Sequence, residues 1–253
     1  MIIMKKIVAI GGGEIKTKET TSIDKEIIKL SGKKKPKLLF IPTASLDSES
    51  YWKDIQNYFG KHLGCKTDVL FLVKQHPSQR VIKKKIFSAD IIYVGGGNTL
   101  KMMTIWRRLG VDNLLKAAYQ KGILLCGLSA GSICWFESGH SDSMAFYNPK
   151  KWKYINVKGL GLIKGINCPH YNNQTFGVKR RKHFQNMIYK VGGFGIAIDN
   201  SCAIEFLDGK YYKVLTSKKN AGAYRVYKKH GKIFSKKIEK RKNFAPIDEL
   251  YKK

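Results

Sequence analysis

Leu124-Leu125-Cys126-Gly127-Leu128-Ser129-Ala130-Gly131-Ser132 runs from an apolar segment into the apolar-periodic Ile133-Cys134-Trp135-Phe136. It reads as a buried strand, a Gly-x-Ser-x-Gly turn and a helix, the order a nucleophile elbow requires. Glycines at 127 and 131 let the backbone turn sharply and leave Ser129 pointing out of the turn. The Ala130 N–H then falls at a helix N-terminus, where it can stabilise an oxyanion. The same small residues also suit a tight turn with no chemistry, so the surrounding chain decides between the two.

Upstream, Lys6–Ile10, Pro36–Ile41, Asp68–Val73 and Asp90–Val94 read as strands. Ile23–Leu30, Ser48–Leu63, Ser78–Phe87 and Thr99–Gln120 read as helices, the last interrupted near Gly110. Continuous apolar strands alternating with helices predict an α/β fold, a mostly parallel sheet covered by helices on both faces. Functional groups gather at the carboxyl ends of such strands. Gly11-Gly12-Gly13, Pro42-Thr43-Ala44-Ser45, Gly95-Gly96-Gly97-Asn98 and the Ser129 turn all fall at such ends. The glycine clusters lack the spacing of phosphate-binding loops, although one could offer backbone N–H groups to an oxyanion.

Downstream, Val157–Ile163 reads as a further strand. After Gly192 the pattern turns to short strands, with Asp208-Gly209 as a hairpin turn between two of them. No internal repeat or Pro/Gly/Ser-rich linker divides the chain. Residues 1–253 therefore read as one α/β domain with C-terminal β-hairpins, ending in a solvated basic hairpin and tail over roughly 221–253.

The net charge of +30 raises nucleic-acid binding as a function. Lysine dominates over arginine, however, and is scattered from Lys5 to Lys253, which describes solvated faces better than a concentrated basic surface. The five cysteines include no CxxC pair, and Cys126, Cys134 and Cys202 sit in apolar runs. They read as reduced core thiols in a cytoplasmic protein. No apolar stretch is long enough for a membrane span, and the N-terminus lacks signal-peptide order. No Cys/His cluster has metal-ligand spacing, so neither metal nor cofactor is expected.

A serine nucleophile needs a base. Of the six histidines, His62 and His183 fall in predicted helices, and His76, His140, His170 and His230 in turns or loops. His170 stands out in the polar loop Asn167-Cys168-Pro169-His170-Tyr171-Asn172, where Pro169 fixes the backbone before it.

Val94-Gly95-Gly96-Gly97-Asn98-Thr99-Leu100, Gly127-Leu128-Ser129-Ala130-Gly131-Ser132 and Pro169-His170-Tyr171, in this order, resemble the dipeptidase E and cyanophycinase family of serine peptidases. Pro42-Thr43-Ala44-Ser45 and Gly195-Ile196-Ala197-Ile198-Asp199 fit the same family, and the likeness spans roughly residues 5 to 215. The resemblance implies a fold similar to class I glutamine amidotransferases, and cleavage of small peptides next to an acidic residue, typically an N-terminal aspartate. It makes Ser129 the nucleophile and His170 the base, with an oxyanion hole from the Gly97 and Ala130 N–H groups and Asn98 as a substrate-binding candidate. Family members often carry a glutamate just after Gly-Ile-x-Ile; this chain has Asp199-Asn200-Ser201 there. Asp199 is the expected third member, Asp142 the second candidate, and a Ser–His dyad the remaining option. For an acidic side chain, the resemblance points to an arginine in the next helix, here Arg180 or Arg181 within Lys179-Arg180-Arg181-Lys182. The rivals are a cyanophycinase-like hydrolase with a non-aspartyl substrate and a non-catalytic nucleic-acid binder.

Overall fold

The structure, a computed structural model, describes residues 4–252. In chain order its elements are β1 (Lys6–Ile10), α1 (Thr21–Leu30), β2 (Lys37–Ile41), α2 (Glu49–Ile55), β3 (Lys66–Val69), α3 (Gln79–Ser88), β4 (Ile91–Val94), α4 (Thr99–Arg108), α5 (Val111–Gln120), β5 (Leu124–Leu128) and α6 (Ala130–Ile133). The second half holds β6 (Phe136–Ser141), β7 (Ile155–Lys158), β8 (Ile163–Cys168), β9 (Gln174–Thr175), β10 (Val178–Lys179), α7 (Arg180–Val191), β11 (Phe194–Ile198), β12 (Cys202–Leu207), β13 (Tyr211–Thr216), β14 (Ala223–Lys229), β15 (Lys232–Lys237), β16 (Ala245–Pro246) and α8 (Asp248–Tyr251).

The first half builds the expected parallel sheet. The strands run β1-β5-β4-β2-β3, each pair parallel. Alternation along β1 shows why both faces are covered. Ile7 and Ala9 join a core with Met102, Met103 and Trp106 of α4 and Leu115 and Ala118 of α5. Val8 and Ile10 join another with Ile23 and Ile27 of α1 and Ile55 of α2. On its other side β1 pairs antiparallel with β12, and β13 and β16 extend that edge.

The sheet is not the whole of the fold. A second, mixed sheet of six strands is ordered β15-β14-β11-β8-β6-β7. The helix expected after Ser129 is only Ala130–Ile133, and the chain re-enters a strand at Phe136 to start this sheet. The strand expected over 157–163 is instead two, β7 and β8, on opposite sides of β6. Gly159 makes the crossing between them, where a side chain would collide with the Phe136 carbonyl. His140, expected in a loop, is buried in β6. Phe136, Val157, Ile196 and Ile198 of this sheet share a core with Ile7 and Leu125 of the first.

Smaller boundaries also differ. β3 ends at Val69 rather than Val73. The 48–63 helix changes after Ile55 to a π-helical stretch, Gln56–His62. Gly110, at φ 66°, separates α4 from α5. The basic C-terminal stretch forms the β14–β15 hairpin and is exposed over residues 239–243. It returns so that β16 pairs with β13, and Ile238, Ala245 and Leu250 are buried. Among the described residues, no helix is long and apolar enough to cross a membrane.

Glu205 in β12 is 1% exposed, and neither carboxylate oxygen has a hydrogen-bond partner among the described residues. Burial raises its carboxyl from the usual 4.5 to about 7, against the pull of Lys213. The native state therefore keeps a proton that the unfolded chain releases at lower pH. The associated stability is complete below pH 4.5 and is lost as pH rises through about 7. Asp24 acts in the same sense, its carboxyl raised by burial to about 7. Replacing a buried, unpaired charge by an apolar side chain of similar length stabilises by about 1–3 kcal/mol. Glu205→Met should thus raise Tm by several degrees at pH 8 and by less at pH 5. Equal shifts at both pH values in thermal melts would remove the titration from the account.

Candidate functional site

The site forms where β1, β5 and β11 end. Ser129 has φ 56° and ψ −110°, a conformation side chains rarely adopt. Two close approaches hold it there. A Cβ at Gly131 would overlap the Val94 carbonyl oxygen of β4, and one at Gly127 would stand 2.6 Å from it. The turn is thus pressed onto the β4 backbone, and both glycines are required by space. The Ser129 N–H donates to Ile10 O of β1 at 3.1 Å, and Ala130 begins α6.

The Gly95-Gly96-Gly97 loop lies beside the serine. A Cβ placed on Gly96 would come within 3.4 Å of the Ser129 Cβ. Gly97, at φ 136°, packs onto the Ala44 carbonyl of the Pro-Thr-Ala-Ser turn and has no room for a side chain. Asn98 is buried at the start of α4. Its Oδ1 caps α4 by accepting from the Lys101 N–H at 3.0 Å, and its Nδ2 donates to Ser143 O at 3.4 Å. A residue expected to touch substrate is therefore engaged at both ends in holding the loop and helix.

His170 is brought to the same strand end. Its N–H donates to Gly11 O at 2.9 Å, one residue beyond the carbonyl that holds Ser129. A side chain on Gly11 would overlap the Asp199 carbonyl, so the β1 and β11 ends approach backbone to backbone. The Nδ1 atom of His170 lies 2.5 Å from Asn200 Oδ1. Burial, and secondarily the Arg180 charge, lower the imidazole to about 4, while Asn200 and Asp142 pull the other way. The ring is therefore neutral at pH 7 and able to accept a proton.

Neither expected carboxylate hydrogen-bonds His170. Asp199 turns away, its Oδ2 accepting from the Gly222 N–H at 3.0 Å, and burial raises its carboxyl. Asp142 pairs with Arg180 Nη2 and accepts from Thr175 Oγ1 at 3.0 Å. An amide carries no charge, so nothing in Asp199-Asn200-Ser201 marks Asn200 as a partner for a histidine. Asp199 and Asp142 carry the charge that marks a candidate in the sequence, and the residue within hydrogen-bond reach of His170 Nδ1 is Asn200.

The two arginines separate by helix geometry, since neighbours on a helix face different directions. Arg180 is 4% exposed, lies 5.1 Å over the Tyr154 ring, and bonds Asp142 and Thr175 through Nη2. Among the described residues, its buried Nη1 meets no acceptor. Arg181 is exposed, stacked against Tyr171 and Tyr224, and lines a cleft of about 450 Å³ with Tyr171, Asn172 and Lys179. Among the described residues, no cluster of three His, Cys, Asp or Glu side chains could hold a metal ion.

A helix-flanked sheet that carries a strained serine and a neutral histidine at the end of one strand has the layout of a hydrolase. The sequence profile of Peptidase family S51 matches residues 7–214. The chain belongs to that family and is a peptidase. It is 34% identical over 224 residues to the uncharacterized peptidase YgaJ of Bacillus subtilis (strain 168), covering 88% of this chain and 92% of that one. It is 30% identical over 151 residues to peptidase E of Shewanella denitrificans, covering 58% and 59% of the two chains. The crystal structure of a peptidase from an acI-B1 Actinobacterium shares the fold, with a TM-score of 0.73, 19% identity and 97% and 98% coverage.

Proposed function

We propose that this peptidase cleaves short peptides next to an acidic residue by a serine-dependent acyl-enzyme mechanism. The observation that carries it is that Ser129 and His170 are both anchored at the end of β1, on the consecutive carbonyls of Ile10 and Gly11. Ser129 Oγ attacks the scissile carbonyl carbon as its proton passes to His170 Nε2. The Gly97 and Ala130 N–H groups stabilise the resulting oxyanion. On collapse, the imidazolium gives its proton to the leaving amine, and an ester of Ser129 remains. Water, deprotonated by His170, then releases the acid and restores the serine. All five cysteines are free and buried, which suits work in a reducing cytoplasm.

The acidic preference rests on Arg180. Its Nη2 is bound to Asp142 and Thr175, while its buried Nη1 has an unused donor, the group a substrate carboxylate would satisfy. Hydrolysis of Asp-Leu, Glu-Leu, Ala-Leu and a β-aspartyl-arginine dipeptide tests the assignment. Asp-Leu should be the best substrate. Preference for β-aspartyl-arginine would favour the cyanophycinase-like alternative, and no cleavage of any would end the proposal. Arg180→Gln with Asp142→Asn, which removes both charges together, should lower kcat/KM on Asp-Leu by about 10²-fold and leave Ala-Leu nearly unchanged. An equal loss on both peptides would give Arg180 a purely structural role.

A further inference from the structure

We infer that Asn200 is the positioning residue for His170, completing a Ser129–His170–Asn200 set with no carboxylate in third place. The inference rests on the serine-peptidase assignment above and concerns how its base is held. Asn200 Oδ1 is an acceptor 2.5 Å from His170 Nδ1. An acceptor there keeps the ring proton on Nδ1 and leaves the Nε2 lone pair free for the serine proton. An amide oxygen can therefore set the tautomer as a carboxylate would.

The amide is itself held from several sides. The Asn200 N–H donates to Asn172 Oδ1 at 2.9 Å, tying it to the turn that carries His170. The next residue, Ser201, donates its N–H to Gly12 O at 2.8 Å. The preceding residue, Asp199, is bonded to Gly222 through both its N–H and its carboxylate. Gly12 lies flat against the pair, and a Cβ on it would overlap both His170 Nδ1 and Asn200 Oδ1. The backbone at Gly12, beyond β1, thus backs the His170–Asn200 bond and leaves no space for a side chain to intrude.

An amide cannot supply the negative charge that stabilises an imidazolium. The charged groups acting on His170 are Arg180 from α7 and Asp142 beyond β6, and these two are paired with each other. Gly12 beyond β1 and Asn200 beyond β11 bring no charge. This chain therefore separates two jobs that a carboxylate performs together, keeping orientation and giving up charge compensation.

The test compares Asn200→Ala and Asn200→Asp on the best dipeptide across pH. Asn200→Ala should lower kcat by about 10²–10⁴-fold with little change in KM. Asn200→Asp should retain or exceed wild-type kcat and move the acidic limb of kcat/KM upward by at least about one pH unit. A limb that stays in place in Asn200→Asp, or an Asn200→Ala variant within about threefold of wild type, overturns the inference. Nitrogen-15 spectra of the imidazoles in a Ser129→Ala background give a readout independent of turnover, with His170 assigned by deletion. They should show Nδ1 protonated and the His170 titration moved upward by Asn200→Asp. Protonation at Nε2, or an unmoved titration, sinks the inference even if the enzyme is active. Turnover that survives Ser129→Ala sinks the serine assignment instead.

Discussion

Ser129→Ala is expected to reduce kcat on short acidic peptides by about 10⁴–10⁶-fold while leaving the protein folded. Alanine keeps the Cβ and removes only the hydroxyl, so the loss isolates the nucleophile. The companion variant, Ser129→Gly, separates chemistry from conformation. At φ 56° and ψ −110° any residue with a Cβ is strained, at a cost of about 1–3 kcal/mol. Glycine relieves that strain and gives back about 0.5–1 kcal/mol through its freer unfolded chain. Ser129→Gly should therefore be as inactive as Ser129→Ala and more stable than it by about 1 kcal/mol in urea unfolding. That pattern identifies a position where the fold accepts strain for the sake of activity. Turnover that persists in both variants would move the chemistry elsewhere, and equal stabilities would show that the turn holds no strain.

The sequence discloses β1, β2, β4 and β5 because each is a continuous apolar run closed by a glycine, proline or Gly-x-Ser-x-Gly turn, whereas the edge strand β3, Lys-Thr-Asp-Val, carries no such run. Such runs are buried on both faces, and that leaves a local signature. The second sheet leaves none. Phe136–Ser141, with its Gly-His-Ser ending, reads as a helix tail and loop until β8 and β7 are placed on either side of it. The returning C-terminus is similar, since Ala245 and Leu250 are buried by partners distant in sequence. In the candidate site, Ser129 and His170 stand out because turn chemistry marks them. Whether Asp199 or Asn200 faces His170 depends on which way one turn points, and in that turn Asp199 is bonded to Gly222. The choice between Arg180 and Arg181 depends on helix register, which four consecutive cations hide. The burial of Glu205 leaves no mark either, because Glu-Phe-Leu in a strand gives no sign that the carboxylate faces inward.

Gly131→Ala is expected to damage folding and activity together, and the reason lies in backbone rather than side-chain packing. The added methyl would overlap the Val94 carbonyl oxygen and crowd its carbonyl carbon, both part of β4. A side-chain neighbour could rotate away, but a central strand cannot, because β4 is paired with β2 and β5 on its two edges. The relief has to come from α6 lifting off the sheet. Ser129 immediately precedes that helix, and its N–H is anchored to Ile10 O, so lifting α6 pulls the serine from the strand end it shares with His170. Overpacking that cannot relax costs at least about 3 kcal/mol, or a fall in Tm of roughly 10 °C. A displacement of about 1 Å at the nucleophile costs on the order of 10²-fold in rate. Gly110→Ala is the control. Gly110 has a positive φ but nothing within 4 Å of its would-be Cβ, so only the conformational cost of about 1 kcal/mol applies, with activity retained. Melting curves and dipeptide turnover on the two variants should therefore diverge. Matching behaviour would mean that the β4 backbone does not seat the serine turn.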